Sequence, residues 1–262
     1  MSKSVLLCPP VFFDVSYSIN PWMKGEEVNK PIAMDQWFKL RNQLHSWGVD
    51  VKTITQQRGL PDMVFTANAG TVRGEKVVLS NFRFPEREGE TEVFEHWFQE
   101  AGYKTYRLPK QIKFEGCGDT VVSEDKMFAG YGVRSSLGGV RRAAKILETE
   151  LVPLKLSHPL FYHLDTCFCL LNKYTAFYYP GAFTPSAIKK LKKHIPDLIE
   201  IDVTDAAFFA CNSVVYENQV IMPAGPQKIV KELDLRGYEV THINTSEFLK
   251  SGGSLQCMTL WI

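Results

Sequence analysis

The chain has 262 residues, of which 45% are hydrophobic and 23% charged, so it can bury a large apolar core. Its 30 basic and 29 acidic residues leave a net charge of +1, which gives no sign of a nucleic-acid footprint or a membrane-surface patch. The apolar start SVLLCPPVFF lacks a basic lead and is broken by two prolines, and no apolar run approaches a membrane-spanning length. We therefore expect a cytoplasmic protein.

The chain contains five similar segments, each typical of a β-hairpin. In chain order they are AGTVRGEKVVLSNFR, GDTVVSEDKMFAGYGVR, LDTCFCLLNKYTAFYYPG, CNSVVYENQVIMPAG and, less completely, QCMTLWI joined with the chain-opening SVLLCPP. Aligning their starts places Gly70, Asp119, Asp165, Asn212 and Cys257 at equivalent positions, about 45 to 49 residues apart. If these strand starts converge on one axis, they form a polar pocket.

Each hairpin segment is followed by a helical pattern and then by a short apolar strand. The helical patterns are PIAMDQWFKLRNQLHSWG, GETEVFEHWFQEAG, GGVRRAAKILETE, TPSAIKKLKKHI and PQKIVKELDLRG, and the strands are VDVKTI, YKTYRL, LVPLKL, DLIEI and YEVTHI. Units of this length cannot bury their own apolar faces, so they must pack against one another. We predict a single domain over residues 1–262 with an α/β fold. Its five ββαβ-like units would form a closed five-bladed α/β propeller around a central pocket.

Six cysteines are spread along the chain, at positions 8, 117, 167, 169, 211 and 257. This distribution in a chain of ordinary size is typical of reduced thiols rather than of a disulfide framework. Cys167 and Cys169 share one face of a strand, but no second close pair accompanies them. Buried core is therefore favoured over a zinc site, and no metal is predicted.

Cys257 follows a glycine pair in SGGSLQC, which gives the backbone freedom to turn a thiol into a cleft. A reactive thiol also needs a proton acceptor nearby. His163 is the best candidate, because it stands two residues before Asp165 and strand periodicity directs both side chains to one face. The alternatives are an inert core cysteine and a hydrogen-bonded packing histidine.

Two further blocks place polar residues among turn formers. FEGCGDT holds Glu115 and Asp119, and GLPDMVFTANAG holds Asp62 and Asn68. Residues of these types often only stabilise turns. In a functional reading, Glu115 would hold the imidazole of His163 and stabilise its protonated form.

Taken together, FEGCGD, the H-x-D of His163 and Asp165, and the terminal GGSLQC resemble the guanidine-modifying enzymes. This group comprises arginine deiminases, dimethylarginine hydrolases, amidinotransferases and arginine dihydrolases, and the resemblance covers nearly the whole chain. It implies a five-bladed α/β propeller, the pentein fold. It also implies that Cys257 attacks a guanidinium carbon to form a covalent thiouronium-type intermediate. His163 would then protonate the departing amine and activate water, with Glu115 orienting it.

The resemblance implies a small-molecule substrate and no cofactor. Asp62 and Asp165 would hold the guanidinium nitrogens, because paired charge-assisted hydrogen bonds suit a planar cation. Asp119 is expected to support them, and no role is assigned to Gly70 or Asn212. For the substrate carboxylate we favour Arg134, then Arg83, ahead of the neighbouring Arg87. Surface arginine is the alternative for all three.

One departure separates the members of the group. Dimethylarginine hydrolases carry a second acid where this chain has Asn68, whereas FTAN and the INPWM around Asn20 resemble the arginine dihydrolases. An amide both donates and accepts hydrogen bonds, so it suits a neutral ureido intermediate. We therefore favour an arginine dihydrolase that forms ornithine, carbon dioxide and ammonia.

Other functions stay open at this point. A deiminase or a dimethylarginine hydrolase would stop at citrulline, an amidinotransferase would pass the amidino group to an amine, and a binding protein with this fold would not be catalytic. A homo-oligomer is also open, since outer helix faces such as AIKKLKKHI can meet solvent or a neighbour.

Overall fold

The computed structural model describes residues 3–262 and contains five sheets of three strands each. The strands are β1 (Ser4–Leu7), β2 (Asp50–Thr53), β3 (Gly70–Arg73), β4 (Lys76–Leu79), β5 (Lys104–Tyr106), β6 (Thr120–Ser123), β7 (Lys126–Tyr131), β8 (Glu150–Lys155), β9 (Phe168–Leu170), β10 (Thr175–Tyr178), β11 (Asp197–Glu200), β12 (Val214–Tyr216), β13 (Gln219–Pro223), β14 (Glu239–Ile243) and β15 (Leu260–Trp261). The helices are α1 (Lys30–Ser46), α2 (Glu90–Glu100), α3 (Gly116–Asp119), α4 (Leu137–Ile146), α5 (Pro185–His194), α6 (Val203–Ala207), α7 (Lys228–Asp234) and α8 (Ser246–Leu249).

All five sheets have the same topology. The strand orders are β15-β1-β2, β3-β4-β5, β6-β7-β8, β9-β10-β11 and β12-β13-β14. In each sheet the central strand pairs antiparallel with the first strand and parallel with the third. A helix connects the central strand to the third, because parallel neighbours need a crossover connection. The α/β class and the five small sheets are as predicted.

Local sequence explains where the connecting helices begin. At α1 the Asn29 side chain accepts a hydrogen bond from the Ile32 N–H, and a proline occupies the first turn. At α4 the Ser136 hydroxyl accepts from the Gly139 N–H in the same way. Both caps satisfy a donor that has no partner within the helix. The helices then bury one face, which in α1 includes Trp37 and Leu40.

The apolar core lies between neighbouring units. Buried residues form four clusters, and each contains side chains from more than one sheet. Leu6 of β1 and Val77 of β4 share one cluster, Val78 of β4 and Met127 of β7 share another, and Val5 of β1 shares a third with Ile221 of β13. The sheets are thus held together by apolar burial, at about 25 cal/mol per Å² removed from water.

The strand starts approach one another closely. Gly116, which opens α3, has a φ of +57°, and a Cβ there would lie 2.8 Å from both the N and the O of Gly70. Only glycine fits this left-handed position against a neighbouring backbone. The hydroxyls of Thr71 and Thr120, on adjacent first strands, are 2.6 Å apart. The first strands of these two units, β3 and β6, therefore begin in direct contact with each other.

Within residues 3–262, none of the helices is long and apolar enough to cross a membrane. The same part of the chain holds no group of three or more His, Cys, Asp or Glu side chains arranged to bind a metal ion. All six cysteines are free thiols.

Candidate active site

Three of the aligned strand-start residues meet around one sulfur atom. The Cys257 Sγ donates to Asp165 Oδ2 at 3.2 Å and accepts from Asn212 Nδ2 at 3.0 Å. Cys257 lies in the turn before β15, Asp165 in the short helix Leu164–Thr166, and Asn212 before β12. All three side chains are at most 2% exposed. The nucleophile that the sequence suggests is therefore enclosed by polar groups.

This environment keeps the resting thiol protonated. Burial, and then the nearby Asp165 carboxylate, raise the pKa of Cys257 well above its ordinary value. Burial also raises the pKa of Asp165 to about 7, although its hydrogen bonds with Cys257 and Asn212 act in the opposite direction. One Asp165 oxygen, Oδ1, is buried without a hydrogen-bond partner. A cation placed here would favour both charged forms, so the pair is suited to a positively charged ligand.

A second cluster places an imidazole beside a carboxylate. Glu115 immediately precedes α3, and its Oε2 lies 2.7 Å from His163 Nε2 and 3.0 Å from Arg134 Nη1. Its Oε1 accepts the backbone N–H of Arg83 at 2.9 Å. The Arg134 guanidinium lies over the rings of Phe84 and Tyr162, 4.8 and 4.6 Å from their centroids. Burial alone would raise the pKa of Glu115, but Arg134 and His163 outweigh it and hold that pKa far below its usual range.

Replacing Glu115 with glutamine should change the acid stability of the fold. Glu115→Gln leaves the buried Arg134 facing a neutral amide, and breaking a buried pair in this way costs about 3–5 kcal/mol of unfolding free energy at neutral pH. The native pKa of Glu115 lies below its ordinary 4.5. Its contribution is therefore fully present above pH 4.5 and is lost as the pH falls. Urea unfolding of both proteins between pH 7 and pH 3 measures the two effects.

The variant should lose less stability than the wild type as the pH falls through this range, because it lacks this carboxylate. Glu88→Gln is the matched control, since Glu88 is exposed and pairs with Lys113 at the surface. Parallel pH profiles for Glu115→Gln and the wild type would contradict the assignment.

Asp119 acts as a backbone anchor between the two clusters. Its Oδ2 accepts the Ser135 N–H at 3.0 Å, and its Oδ1 accepts the Leu164 N–H at 3.2 Å. Burial raises the pKa of Asp119 to about 6. These bonds fix the backbone immediately after Arg134 and immediately after His163, and the supporting role expected for Asp119 stays a prediction.

Asp62 and Asn20 lie where an N-terminal loop packs on the loop that leads to Cys257. Asp62 accepts from the Tyr17 hydroxyl at 2.9 Å and from the Ser251 hydroxyl at 3.1 Å. The Asn20 amide donates to the Ser251 carbonyl at 3.0 Å. The same N-terminal loop accepts a hydrogen bond from Arg134 at the Ile19 carbonyl. The loop thus covers the buried carboxylates and connects both clusters.

The candidate arginines differ in burial. The Arg83 side chain is exposed, and only its backbone contacts the site. Arg87 is 3% exposed and donates to both Glu90 oxygens at 2.8 Å and to Asn68 Oδ1 at 2.8 Å. Glu90 was not anticipated. Burial raises its pKa to about 7, although Arg87 acts to lower it. The spacing of three residues between Arg87 and Glu90 is the one feature of the local sequence that indicates their pairing.

Asn68 and His163 face the same small space. A Cβ built on Gly118 would lie 2.2 Å from Asn68 Nδ2 and 3.1 Å from His163 Nδ1. The Asn68 Nδ2 is buried without a hydrogen-bond partner, although its Oδ1 accepts from Arg87. A buried donor without a partner costs about 1–3 kcal/mol, which is tolerated where a ligand can accept it.

The described residues also line a cavity of about 1140 Å³ that is open on one side. Asp165, Gln256 and Thr259 are among its lining residues, whereas Cys257 and His163 are not. Since Cys257 and His163 are at most 2% exposed, the space beside them is closed in this conformation.

Comparison with known proteins places these features in a family. The family profile described as N,N dimethylarginine dimethylhydrolase, eukaryotic, matches residues 17–262. The chain is 42% identical to the bifunctional arginine dihydrolase/ornithine cyclodeaminase ArgZ of Synechocystis, over 98% of this chain and 37% of that protein. It therefore spans little more than a third of this bifunctional relative. It is 37% identical to an N(G),N(G)-dimethylarginine dimethylaminohydrolase of Mycobacterium tuberculosis, over 100% of this chain and 86% of that protein.

A solved structure is similar throughout. The N-terminal domain of ArgZ, a cyanobacterial arginine dihydrolase crystallised as a cysteine-to-serine variant bound to its substrate, superposes with a TM-score of 0.96. It is 41% identical, and the match covers 99% of this chain and 98% of that one. Since the family profile matches nearly the whole chain and both relatives are well above 30% identical, this protein belongs to the N,N-dimethylarginine dimethylhydrolase family.

Proposed function

We propose that this chain is a cysteine hydrolase of free arginine, an arginine dihydrolase that forms ornithine, carbon dioxide and two molecules of ammonia. The observation that carries the proposal is a buried thiol in contact with one carboxylate, and a buried imidazole, two residues along the chain from that carboxylate, in contact with a second carboxylate. Cys257 contacts Asp165, and His163, two residues from Asp165, contacts Glu115. The high similarity to the substrate-bound dihydrolase domain supports the same conclusion.

The first hydrolysis uses the Cys257 sulfur as nucleophile. The arginine guanidinium binds beside Asp165, the thiol proton passes to His163, and the positive charge of the substrate stabilises the thiolate. Sulfur then forms a bond to the guanidinium carbon. The carbon–nitrogen bond to a terminal amino group breaks as His163 gives that nitrogen a proton, so ammonia leaves and a thiouronium cation remains on Cys257. Glu115 stabilises the protonated imidazole through the contact of 2.7 Å.

Water completes this first cycle. His163 takes a proton from water, the oxygen adds to the same carbon, and the carbon–sulfur bond breaks to return the thiolate. The product is citrulline, and its extra proton passes to ammonia. Asp62 and Asp165 hold the planar cation in this scheme, because paired charge-assisted hydrogen bonds match its geometry.

The amino-acid end of the substrate needs a cation. Arg134 and Arg83 stay our predictions for binding the substrate carboxylate. We add Arg87, because its guanidinium donates a hydrogen bond to Asn68, another candidate site residue. Asn20 would position the covering loop through Ser251, with Asp119 fixing the backbone on the opposite side.

The second hydrolysis acts on a neutral ureido group. Sulfur adds to the citrulline carbon, ammonia leaves, and water releases an N-carboxy ornithine that loses carbon dioxide. Asn68 suits this step, because its free Nδ2 can donate to the ureido oxygen while its Oδ1 remains bonded to Arg87. A carboxylate at position 68 would repel that oxygen.

Incubation with arginine tests this function directly. Mass spectrometry should detect ornithine as the main product of the wild type. In Asn68→Asp the acceptor for Arg87 remains but the donor is lost, so the ornithine-to-citrulline ratio should fall at least about tenfold, as expected for one lost hydrogen bond. Asn218→Asp, at an exposed turn, is the control and should behave as the wild type. Citrulline that accumulates without ornithine in the wild type would contradict dihydrolysis and favour a deiminase.

Dimethylarginine hydrolysis is the second candidate, because the family profile is that of the dimethylarginine hydrolases. The same assay with asymmetric dimethylarginine separates the two, since this substrate releases dimethylamine. Turnover faster than that of arginine would favour this second candidate.

We also propose that the five units close into a propeller and form one domain over residues 1–262. The cluster that joins Val5 of β1 with Ile221 of β13 supports closure, since it packs the first strand of the chain against the fourth hairpin, formed by β12 and β13. A cytoplasmic location agrees with six free thiols.

A further inference from the structure

Asn212 is bonded to Cys257 at two points. Its Nδ2 donates to the Cys257 Sγ at 3.0 Å, and its Oδ1 accepts the Cys257 backbone N–H at 3.1 Å. The same Nδ2 lies 3.2 Å from the Asp165 carbonyl oxygen, to which it also donates. Asn212 is fully buried, so water does not compete for these bonds. One amide thus contacts the sulfur, the backbone that carries it and the segment that carries Asp165.

The backbone around Asn212 is held independently of its side chain. Its N–H donates to the Phe209 carbonyl at 2.9 Å, and its carbonyl accepts the Gln256 N–H at 3.1 Å. The next residue, Ser213, donates its hydroxyl to the Ala210 carbonyl at 2.7 Å. The loop before β12 therefore has its own hydrogen bonds, and the contact of the Asn212 amide with the sulfur is additional to them.

The charges around the sulfur oppose the thiolate in the free protein. Asp165 lies 3.2 Å from Sγ, and Tyr162 is a second titratable group whose pKa responds to Cys257. Burial and Asp165 raise the pKa of Cys257, whereas a Ser254 backbone hydrogen bond and the Asn212 amide act to lower it. Among these groups, Asn212 places a side-chain N–H donor directly on the sulfur. Hydrogen bonds to an ionised acceptor are about twice as strong as neutral ones.

We propose that Asn212 is a catalytic residue that stabilises the Cys257 thiolate and fixes the direction of its attack. This assignment rests on the proposed function, in which sulfur is the nucleophile. As the carbon–sulfur bond forms, the sulfur loses its negative charge and keeps its position, because the Cys257 N–H remains bonded to Oδ1. The N–H donor is then in place for the thiolate that returns when the bond breaks.

The thiol itself provides a test that needs no substrate. The rate of alkylation of Cys257 by iodoacetamide, followed by mass spectrometry of its peptide across a range of pH, gives the midpoint of thiolate formation. We expect this midpoint to rise by at least about one pH unit in Asn212→Ala, in line with the loss of a hydrogen bond to a charged group. Asn212→Asp keeps an oxygen for the Cys257 N–H but replaces the donor with a carboxylate, so its midpoint should rise further.

Ser213→Ala is the matched control, because it removes a buried hydrogen bond from the same loop without touching the sulfur. Its midpoint should equal that of the wild type. Turnover of arginine should fall at least about tenfold in both Asn212 variants and remain near the wild-type rate in Ser213→Ala. Thermal unfolding of each protein shows how far the fold is affected.

An unchanged midpoint in Asn212→Asp would overturn the assignment, and so would a loss of thermal stability without a shift in the midpoint, because Asn212 would then be structural. Failure of the proposed function gives a different result. A wild type that does not hydrolyse arginine, but whose thiol midpoint rises in the Asn212 variants, would remove the function and retain the thiolate contact.

Discussion

Replacing Cys257 with alanine is expected to abolish arginine hydrolysis, with a loss of at least about 10⁴-fold in kcat, as found when a covalent nucleophile is removed. The Cys257 sulfur lies 3.2 Å from Asp165 Oδ2, beside the position proposed for the guanidinium. Without the thiol, the guanidinium can still meet Asp62 and Asp165, so binding should persist. Product formation by mass spectrometry and arginine binding by calorimetry measure the two separately.

Cys169→Ala is the control for Cys257→Ala, because Cys169 is also a buried free thiol. It lies in β9, and its Sγ bonds weakly to the Ser213 carbonyl at 3.8 Å. This control should lose some stability through the small cavity it creates but keep its turnover. Ornithine or citrulline produced by Cys257→Ala at a tenth of the wild-type rate would rule out the covalent mechanism.

The repeat in the sequence predicts the five sheets because the secondary-structure pattern can be read separately in each unit. Hairpin, helix and strand follow one another five times, and the alternation of apolar residues changes period at each step. Helix ends are less accurate: PQKIVKELDLRG suggests 12 residues, whereas α7 covers Lys228–Asp234. End positions depend on capping contacts, and the Gln227 cap of α7 makes no side-chain hydrogen bond.

The place of a residue in the repeat predicts the position of some candidate site residues. Asp165 and Cys257 were aligned at strand starts, and they are in contact. Asn212 occupies an equivalent position, yet the sequence indicates no role for it, because an amide alone carries no chemical signature. Its importance is visible only when the sulfur lies 3.0 Å from its nitrogen.

The arginines show what one sequence cannot decide. Arg83 and Arg87 both follow the hairpin of β3 and β4, and local pattern does not distinguish them. Burial in the folded chain distinguishes the two arginines. The Arg87 side chain is buried, because Glu90 neutralises its charge and Asn68 accepts a further hydrogen bond, whereas the Arg83 side chain is exposed. A buried charge requires partners from several elements, and these come together only in the folded chain.

Replacing His163 with alanine should separate the two halves of the covalent cycle. General acid–base groups contribute about 10²–10⁴-fold, so kcat with arginine should fall by that amount. The fold should persist, because Glu115 keeps its ion pair with Arg134 at 3.0 Å and its bond from the Arg83 N–H. Mass spectrometry of the protein and product analysis measure the two outcomes.

S-methyl-L-thiocitrulline makes the separation visible, because its methylthio group leaves without needing a proton. In His163→Ala this compound should therefore still form the thiouronium adduct on Cys257, but the adduct should persist, since nothing removes a proton from the attacking water. His158→Ala is the matched control: the His158 side chain accepts from the Leu160 N–H and lies beside the Phe161 ring within its own loop, and this variant should turn over normally. Rapid breakdown of the adduct in His163→Ala would show that another group activates water. Asp119 would then be the first residue to test, because burial raises its pKa to about 6, within the range of a general base.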